Sequence, residues 1–216
     1  MSIGDALYLM VKYTLKPASQ LLFDARVSGE QNVPAHGPLV VASNHISYLD
    51  PPLLGAWFPR LIHFMAKREL FDTPVLGPLI RTVHAFPVNR EAGDLSAIRH
   101  ALHVLKASGV VGVFPEGRRN LDGEAQARSG AVLLAATAHC PVVPVALLGT
   151  NVAAKRLRAS RVEVRIGTPM TFQGSARRPT KPELSAWTAD LTQRIADLME
   201  NNADPKSENS GVLLRR

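Results

Sequence analysis

Two runs of the chain are apolar on both of the faces a strand would present, 110–114 (VVGVF) and 142–148 (VVPVALL). A strand wetted on one side alternates apolar and polar residues, so these runs need cover on both sides and belong in the middle of a sheet. The run 38–42 (PLVVA) and the candidates 62–66 (IHFMA) and 84–88 (HAFPV) join them. Residues 161–166 (RVEVRI) differ: Val162, Val164 and Ile166 face one way, and Arg161, Glu163 and Arg165 the other. That alternation predicts an edge or half-exposed strand. Pro144, inside the second run, requires a bulge or an unpaired position, since proline has no N–H to donate. Between the strands lie helical patterns. Leu95, Ile98, Leu102 and Leu105 predict a helix over 94–107, ended by Gly109. Leu184, Trp187, Leu191, Ile195 and Leu198 predict another over 181–200, opened by a Thr180/Glu183 capping box with Pro182 in its first turn. A third helix is expected over 129–139. Strands alternating with helices make this an α/β chain, and 216 residues suffice for one full core.

Composition narrows the partners. Lys and Arg number 25 against 18 Asp and Glu, a net charge of +7, which favours an anionic partner. Aromatics are only 6% and no basic run interleaves with them, so nucleic-acid binding by base stacking has little to work with. The one cysteine, Cys140, permits no intrachain disulfide and reads as a small buried hydrophobe. Trp57 and Phe58 read as core by default, with contact to a membrane or to an apolar ligand as the alternative. His100 and His103, three apart on one helix, lack an evident third metal ligand and read as surface residues.

No apolar stretch reaches the roughly 20 uninterrupted residues of a spanning helix. The first 24 residues are nonetheless poor in charge. Leu7, Met10, Val11 and Leu15 recur at helical spacing, with Lys12 and Lys16 as the only cations. The expectation is an amphipathic helix in a bilayer interface with its lysines at the headgroups; the alternative is a helix packed on the protein's own core. Residues 201–216 are polar and read as a flexible tail.

Residues 43–52 (SNHISYLDPP) follow directly on PLVVA. A turn from strand into helix folds Asp50 back onto the ring of His45. The carboxylate then fixes the tautomer and leaves the other ring nitrogen to take a proton. Spacing alone also fits a merely structural histidine. Residues 113–119 (VFPEGRR) again follow a strand, with Glu116 and Gly117 marking a tight turn where α/β sheets place ligands. Arg118 and Arg119 on that turn, Arg128 beyond it and Arg90 at the end of 86–90 (FPVNR) suit a phosphate. Taken singly, each also fits a solvated surface arginine.

Four blocks in order resemble the 1-acylglycerol-3-phosphate acyltransferase family of glycerolipid acyltransferases. They are Asn44-His45-x-Ser47-x-x-Asp50, the stretch Lys67 to Arg90, Phe114-Pro115-Glu116-Gly117-Arg118-Arg119, and Val142-Val143-Pro144-Val145-Ala146 with Gly149-Thr150 beyond. The resemblance covers 38–150 and extends toward 200. It implies a single domain over 25–200, with a central mixed β-sheet flanked by helices behind an N-terminal amphipathic segment, 1–24. It implies a lysophospholipid acyltransferase acting at the cytoplasmic face of a membrane rich in anionic lipid. The acyl group would pass from acyl-CoA or acyl carrier protein to the free hydroxyl of 1-acylglycerol-3-phosphate, with neither metal nor prosthetic group. His45 is the expected general base, Asp50 its partner, and Asn44, Ser47 and Pro115 support them. Arg90, Glu116, Gly117, Arg118 and Arg119 match the acceptor-phosphate positions; Glu116, being anionic, is expected to orient an arginine or accept from a hydroxyl. Val143, Pro144 and Val145 resemble the part linked to the donor or acyl chain, and read equally as a buried strand. Nothing forms a nucleophile elbow, so direct transfer without an acyl-enzyme is expected.

Where the family has Thr before the last Arg of FPEGTR this chain has Arg118, Asn120 replaces the following Ser, and Asn89 precedes Arg90 where Asp is usual. The family's Lys is matched only loosely, by Arg128 ahead of Gly130. These departures bear on the acceptor headgroup rather than on the reaction. The alternatives are the same chemistry on another lysolipid or a glycolipid, and a thioester hydrolase in which His45 activates water. A catalytically dead lipid-binding relative is disfavoured by the intact His45 and Asp50.

Overall fold

A computed structural model describes residues 3–89, 94–120, 126–154, 161–172 and 179–200. Seven strands form one sheet: β1 (Arg26–Ser28), β2 (Leu39–Ser43), β3 (Ile62–Lys67), β4 (Phe86–Val88), β5 (Val110–Val113), β6 (Val142–Leu148) and β7 (Glu163–Ile166). Their order is β1-β7-β6-β2-β5-β3-β4. All neighbours run parallel except β6 and β7, so the sheet is mixed, as the resemblance implied.

The apolar runs sit where their patterns required. In β2, Leu39 and Val41 enter one core cluster, while Val40 and Ala42 enter the cluster on the opposite face. The first cluster takes its cover from α1 (Ile3–Phe23) and α2 (Asp50–Trp57). The second takes it from α4 (Leu95–Lys106), α5 (Gly130–Ala138) and α7 (Lys181–Glu200). Asp94 caps α4 by accepting from the backbone of Ser96 and Ala97. Thr180 and Glu183 form the expected capping box on α7, with Thr180 N–H donating to Glu183 Oε2 at 2.7 Å. Two short helices complete the set, α3 (Leu76–Thr82) and α6 (Thr150–Ala153).

Two open alternatives resolve and one expectation changes. β7 is half-exposed but not an edge, because β1 pairs along its outer side. Three residues, RVS, carry no readable period, which is why β1 is invisible in the sequence. Pro144 lies opposite a bulge whose extra residue is on the 166–170 side. Val145 pairs with Ile166 and Val142 with Met170, so three steps on β6 oppose four beyond β7. The left-handed residue after α4 is Ser108 rather than Gly109, whose added Cβ would lie 2.7 Å from the Val104 side chain.

The N-terminal helix departs from expectation in the direction of its lysines. α1 packs on the domain, with Tyr8 and Ser19 buried. Its lysines turn inward rather than toward headgroups. Lys12 Nζ donates to the Phe58 carbonyl at 2.5 Å, and Lys16 lies 4.7 Å over the Trp57 ring. The end of α2 and the start of β3 leave a carbonyl and an N–H that need partners. Lys12 satisfies the Phe58 oxygen, and the Tyr8 hydroxyl accepts from Ile62 N–H at 3.2 Å. Burial pushes the Tyr8 phenol up to about 12 and lowers the Lys12 ammonium. Trp57 donates to Ser19 Oγ at 2.9 Å, and both Trp57 and Phe58 are core residues. Cys140 is buried, which raises its thiol to about 11.

Candidate active site

β2 and β5 are neighbours, with Ala42 opposite Val113, so the segments that follow both strands emerge side by side. His45 and Glu116 each lie three residues past that pair and therefore meet. The same parallel topology brings the end of β3, at Lys67, alongside.

Asn44 anchors the first segment. Its Oδ1 accepts from Leu147 N–H at 2.8 Å and its Nδ2 donates to the Leu147 carbonyl at 2.9 Å. The side-chain amide thus extends the ladder between β2 and β6 past the strand end. The turn then folds onto Asp50, the first residue of α2. One carboxylate oxygen, Oδ2, accepts from Ile46 N–H and Ser47 N–H at 2.7 Å each, and lies 2.8 Å from His45 Nδ1. Ser47 Oγ accepts from Leu49 N–H at 3.2 Å and tightens the same turn. Asp50 is fully buried, and the His45 side chain is 10% exposed. With Nδ1 engaged, Nε2 is the nitrogen left to exchange a proton. The ring is held flat against Phe114, centroids 4.3 Å apart.

The segment after β5 closes on His45 from the other side. Gly117 takes a left-handed φ of 68° and donates to the Phe114 carbonyl, making the predicted turn, while Pro115 accepts from Arg128 N–H. Among the described residues Glu116 pairs with no arginine. Its Oε2 accepts from His45 N–H at 3.1 Å and its Oε1 from Asn120 Nδ2 at 3.3 Å. Asn120 N–H donates to the His45 carbonyl at 2.7 Å. The peptide groups on both sides of His45 are therefore held by this block. Half-burial raises the Glu116 carboxyl above its ordinary value.

His45 lines a cavity of about 890 Å³. Its walls are mainly apolar: Tyr8, Val11 and Leu15 from α1, Phe64 from β3, Leu79 and Ile80 from α3. Gly55 on α2 lets α1 approach, since a Cβ there would sit 2.9 Å from the Tyr8 hydroxyl. Arg118, Arg119, Lys67 and Tyr48 also line the cavity, and Arg118 and Tyr48 are exposed. Arg119 donates to the Tyr48 hydroxyl at 3.0 Å and stacks on its ring. Arg90 lies outside the described residues. Val143, Pro144 and Val145 are buried in the central strand β6 and do not line the cavity. The wall contributed by α1 had no signal beyond apolar spacing, and Phe114 was read only as part of its motif.

A buried histidine–carboxylate pair facing an apolar groove, with guanidinium groups beside it, suits proton transfer next to a ligand that is apolar along its length and anionic at one end. Known proteins are similar to this chain in sequence and in fold. The family model described as Acyltransferase matches residues 24–148. The 1-acyl-sn-glycerol-3-phosphate acyltransferase of Bacillus subtilis is 34% identical over 199 residues, covering 92% of this chain and 99% of its own length. The enzyme of the same name from Streptococcus pneumoniae is 32% identical over 133 residues, 61% of this chain and 49% of that protein, so the chain spans about half of it. The crystal structure of the 1-acyl-sn-glycerophosphate (LPA) acyltransferase PlsC from Thermotoga maritima superposes with a TM-score of 0.72 at 25% identity, over 92% of this chain and 82% of that one. The chain belongs to the acyltransferase family and is an acyl-transferring enzyme.

Proposed function

We propose that this acyltransferase moves a fatty acyl group from a thioester donor, acyl-CoA or acyl carrier protein, to the free hydroxyl of 1-acylglycerol-3-phosphate, giving phosphatidic acid. The observation that carries the reading is the His45–Asp50 pair, 2.8 Å apart and buried, opening on an apolar groove flanked by Arg118 and Arg119. The names of the Bacillus and Thermotoga relatives support the choice of acceptor.

His45 Nε2 takes the proton of the acceptor hydroxyl as its oxygen attacks the thioester carbonyl. The tetrahedral intermediate collapses with cleavage of the carbon–sulfur bond. The departing thiolate recovers the proton from the imidazolium, so the base is regenerated. Asp50 fixes the tautomer and stabilises the imidazolium while it exists. Arg118 and Arg119, with Arg90, hold the acceptor phosphate, and the groove holds acyl chain. The base, its partner and the cations are side chains of this chain, so the reading requires neither a metal nor a prosthetic group.

Residues 25–200 form the catalytic domain in this reading, and 1–24 its membrane-facing segment. No helix among the described residues is long and apolar enough to cross a membrane. The enzyme then works as a peripheral protein on an anionic cytoplasmic leaflet, reached through the exposed Met10, Tyr13 and Leu21 of α1 and Val75 and Leu79 near α3.

The test is thiol release from palmitoyl-CoA, with and without 1-acylglycerol-3-phosphate, for wild type and His45→Ala. Acceptor-dependent release that falls by about 10²-fold or more in the variant is expected. Release without acceptor would assign a hydrolase instead.

A further inference from the structure

The geometry points to Tyr48 as the residue that positions Arg119 and thereby sets the preference for an acceptor bearing a phosphomonoester. This inference rests on the proposal that Arg119 binds the acceptor phosphate.

Tyr48 is 69% exposed, so packing does not account for where its ring lies. The guanidinium carbon of Arg119 sits 3.7 Å from the ring centroid, and Nη2 donates to the phenol oxygen at 3.0 Å. The ring covers one face of the guanidinium, and the hydroxyl takes one of its five N–H donors. An arginine held this way has lost much of its rotamer freedom before an anion arrives, so less is lost on binding.

The platform is itself fixed. Tyr48 stands between Ser47 and Leu49 in the turn that Asp50 and Ser47 close through three backbone N–H groups. Its Cα therefore moves with the catalytic turn. The pair ties the turn that carries the base to the turn that carries the cation. Both residues line the groove that His45 faces, so the distance from base to cation is set in part by this stack. A phosphomonoester brings to the oriented guanidinium a third terminal oxygen and a second negative charge; a phosphodiester headgroup, with two terminal oxygens and one charge, gains less from the orientation.

The experiment is steady-state kinetics of the full chain with palmitoyl-CoA and 1-oleoylglycerol-3-phosphate. The proteins are wild type, Tyr48→Ala, Tyr48→Phe, Arg119→Ala and the double variant Tyr48→Ala/Arg119→Ala. Tyr48→Ala is expected to raise the acceptor KM about five- to tenfold while the donor KM holds; Tyr48→Phe, which keeps the stack, raises it about twofold. The double variant is expected to be no worse than Arg119→Ala, because both changes remove the same interaction. The preference for the phosphomonoester over lysophosphatidylcholine should shrink by the same factor in Tyr48→Ala. If Arg119→Ala raises the acceptor KM and Tyr48→Ala does not, the positioning role is wrong and the phosphate reading stands. If Arg119→Ala leaves it unchanged, both are wrong. A Tyr48→Ala loss that falls on both substrates and comes with a lowered melting temperature would also overturn the assignment, by marking Tyr48 as merely structural.

Discussion

At the base of the groove, Asp50 is fully buried, His45 nearly so, and the turn between them is closed by backbone N–H groups that donate to the Asp50 and Ser47 side chains. At its mouth, Arg118 and Tyr48 are exposed, and Arg119 is held by a single tyrosine. The base is an extension of the sheet: Asn44 continues the ladder and Glu116 holds the next peptide N–H. The mouth is a set of long side chains on turns. A proton-transfer site needs its atoms fixed to within a few tenths of an ångström, whereas a charged headgroup is caught by cations that adjust. Substitutions at the base should therefore appear in kcat, and substitutions at the mouth in acceptor KM.

The largest effect tests the base. Asp50→Asn keeps the size of the side chain and removes the charge that steadies the imidazolium. We expect kcat to fall by about 10²-fold or more with acceptor KM within about threefold. Because Oδ2 also accepts from Ile46 and Ser47, an Asn oriented with its oxygen there would preserve the turn. A rate unchanged from wild type would break the pairing of His45 with Asp50, and a rise confined to KM would break the division of labour between base and mouth.

Much of the base was legible in sequence, and little of the mouth. The strand runs 110–114 and 142–148 are apolar throughout because they are covered on both faces, and that constraint is local enough to read. The His45/Asp50 spacing was readable because a strand-to-helix turn leaves few ways to place the two side chains. The contact Glu116 makes was not legible. Its motif suggested work on an arginine or a hydroxyl, but its partner is a peptide 71 positions away, brought near by the pairing of β2 with β5. No periodicity encodes that contact. The inward turn of Lys12 and Lys16 was equally hidden, since it answers backbone groups left open on other elements. α3 was missed because Gly77 and Pro78 interrupt its pattern. Val143 and Val145 show the reverse case: of the two readings offered, the buried strand is the one their apolar pattern makes legible, and it describes where they lie.

Glu116→Gln sharpens the comparison by separating rate from stability. Burial raises the Glu116 carboxyl, so its ionised form is disfavoured in the folded protein relative to the unfolded one. The sign follows: a folded value above the unfolded one means that stability is retained at low pH and lost as pH rises through the folded value. A neutral Gln avoids that loss. It keeps an oxygen for His45 N–H but not the second acceptor for Asn120. We expect a melting temperature at pH 7.5 equal to or above that of wild type, and kcat lowered about tenfold through a less rigid His45 peptide. Thermal melts and initial rates on the same preparation check this. A lower melting temperature with an unchanged rate would make Glu116 a structural residue only.

The smallest expected effect lies furthest from the base. Met10, Tyr13 and Leu21 are 59%, 68% and 73% exposed, and steps of three and eight residues place them on one side of α1, away from the buried Tyr8 and Ser19. The inward-facing lysines cannot supply the attraction to anionic lipid that an interfacial helix usually draws from its own cations. If this side meets the bilayer, its contribution is apolar area. Met10→Ser with Tyr13→Ser should then weaken binding to vesicles of phosphatidylcholine with 30% phosphatidylglycerol (about 30%, chosen so that surface charge acts within a Debye length) by roughly five- to twentyfold, at about 25 cal/mol per Å² of apolar surface withheld. The loss should persist at 0.5 M salt (about 0.5 M), where the Debye length is shortest and charge contributes least. Turnover of a short-chain, micelle-free acceptor should hold near the wild-type rate, because neither residue lines the groove. A loss that vanishes at high salt would assign the membrane contact to the arginines at the mouth and leave α1 as a wall of the groove alone.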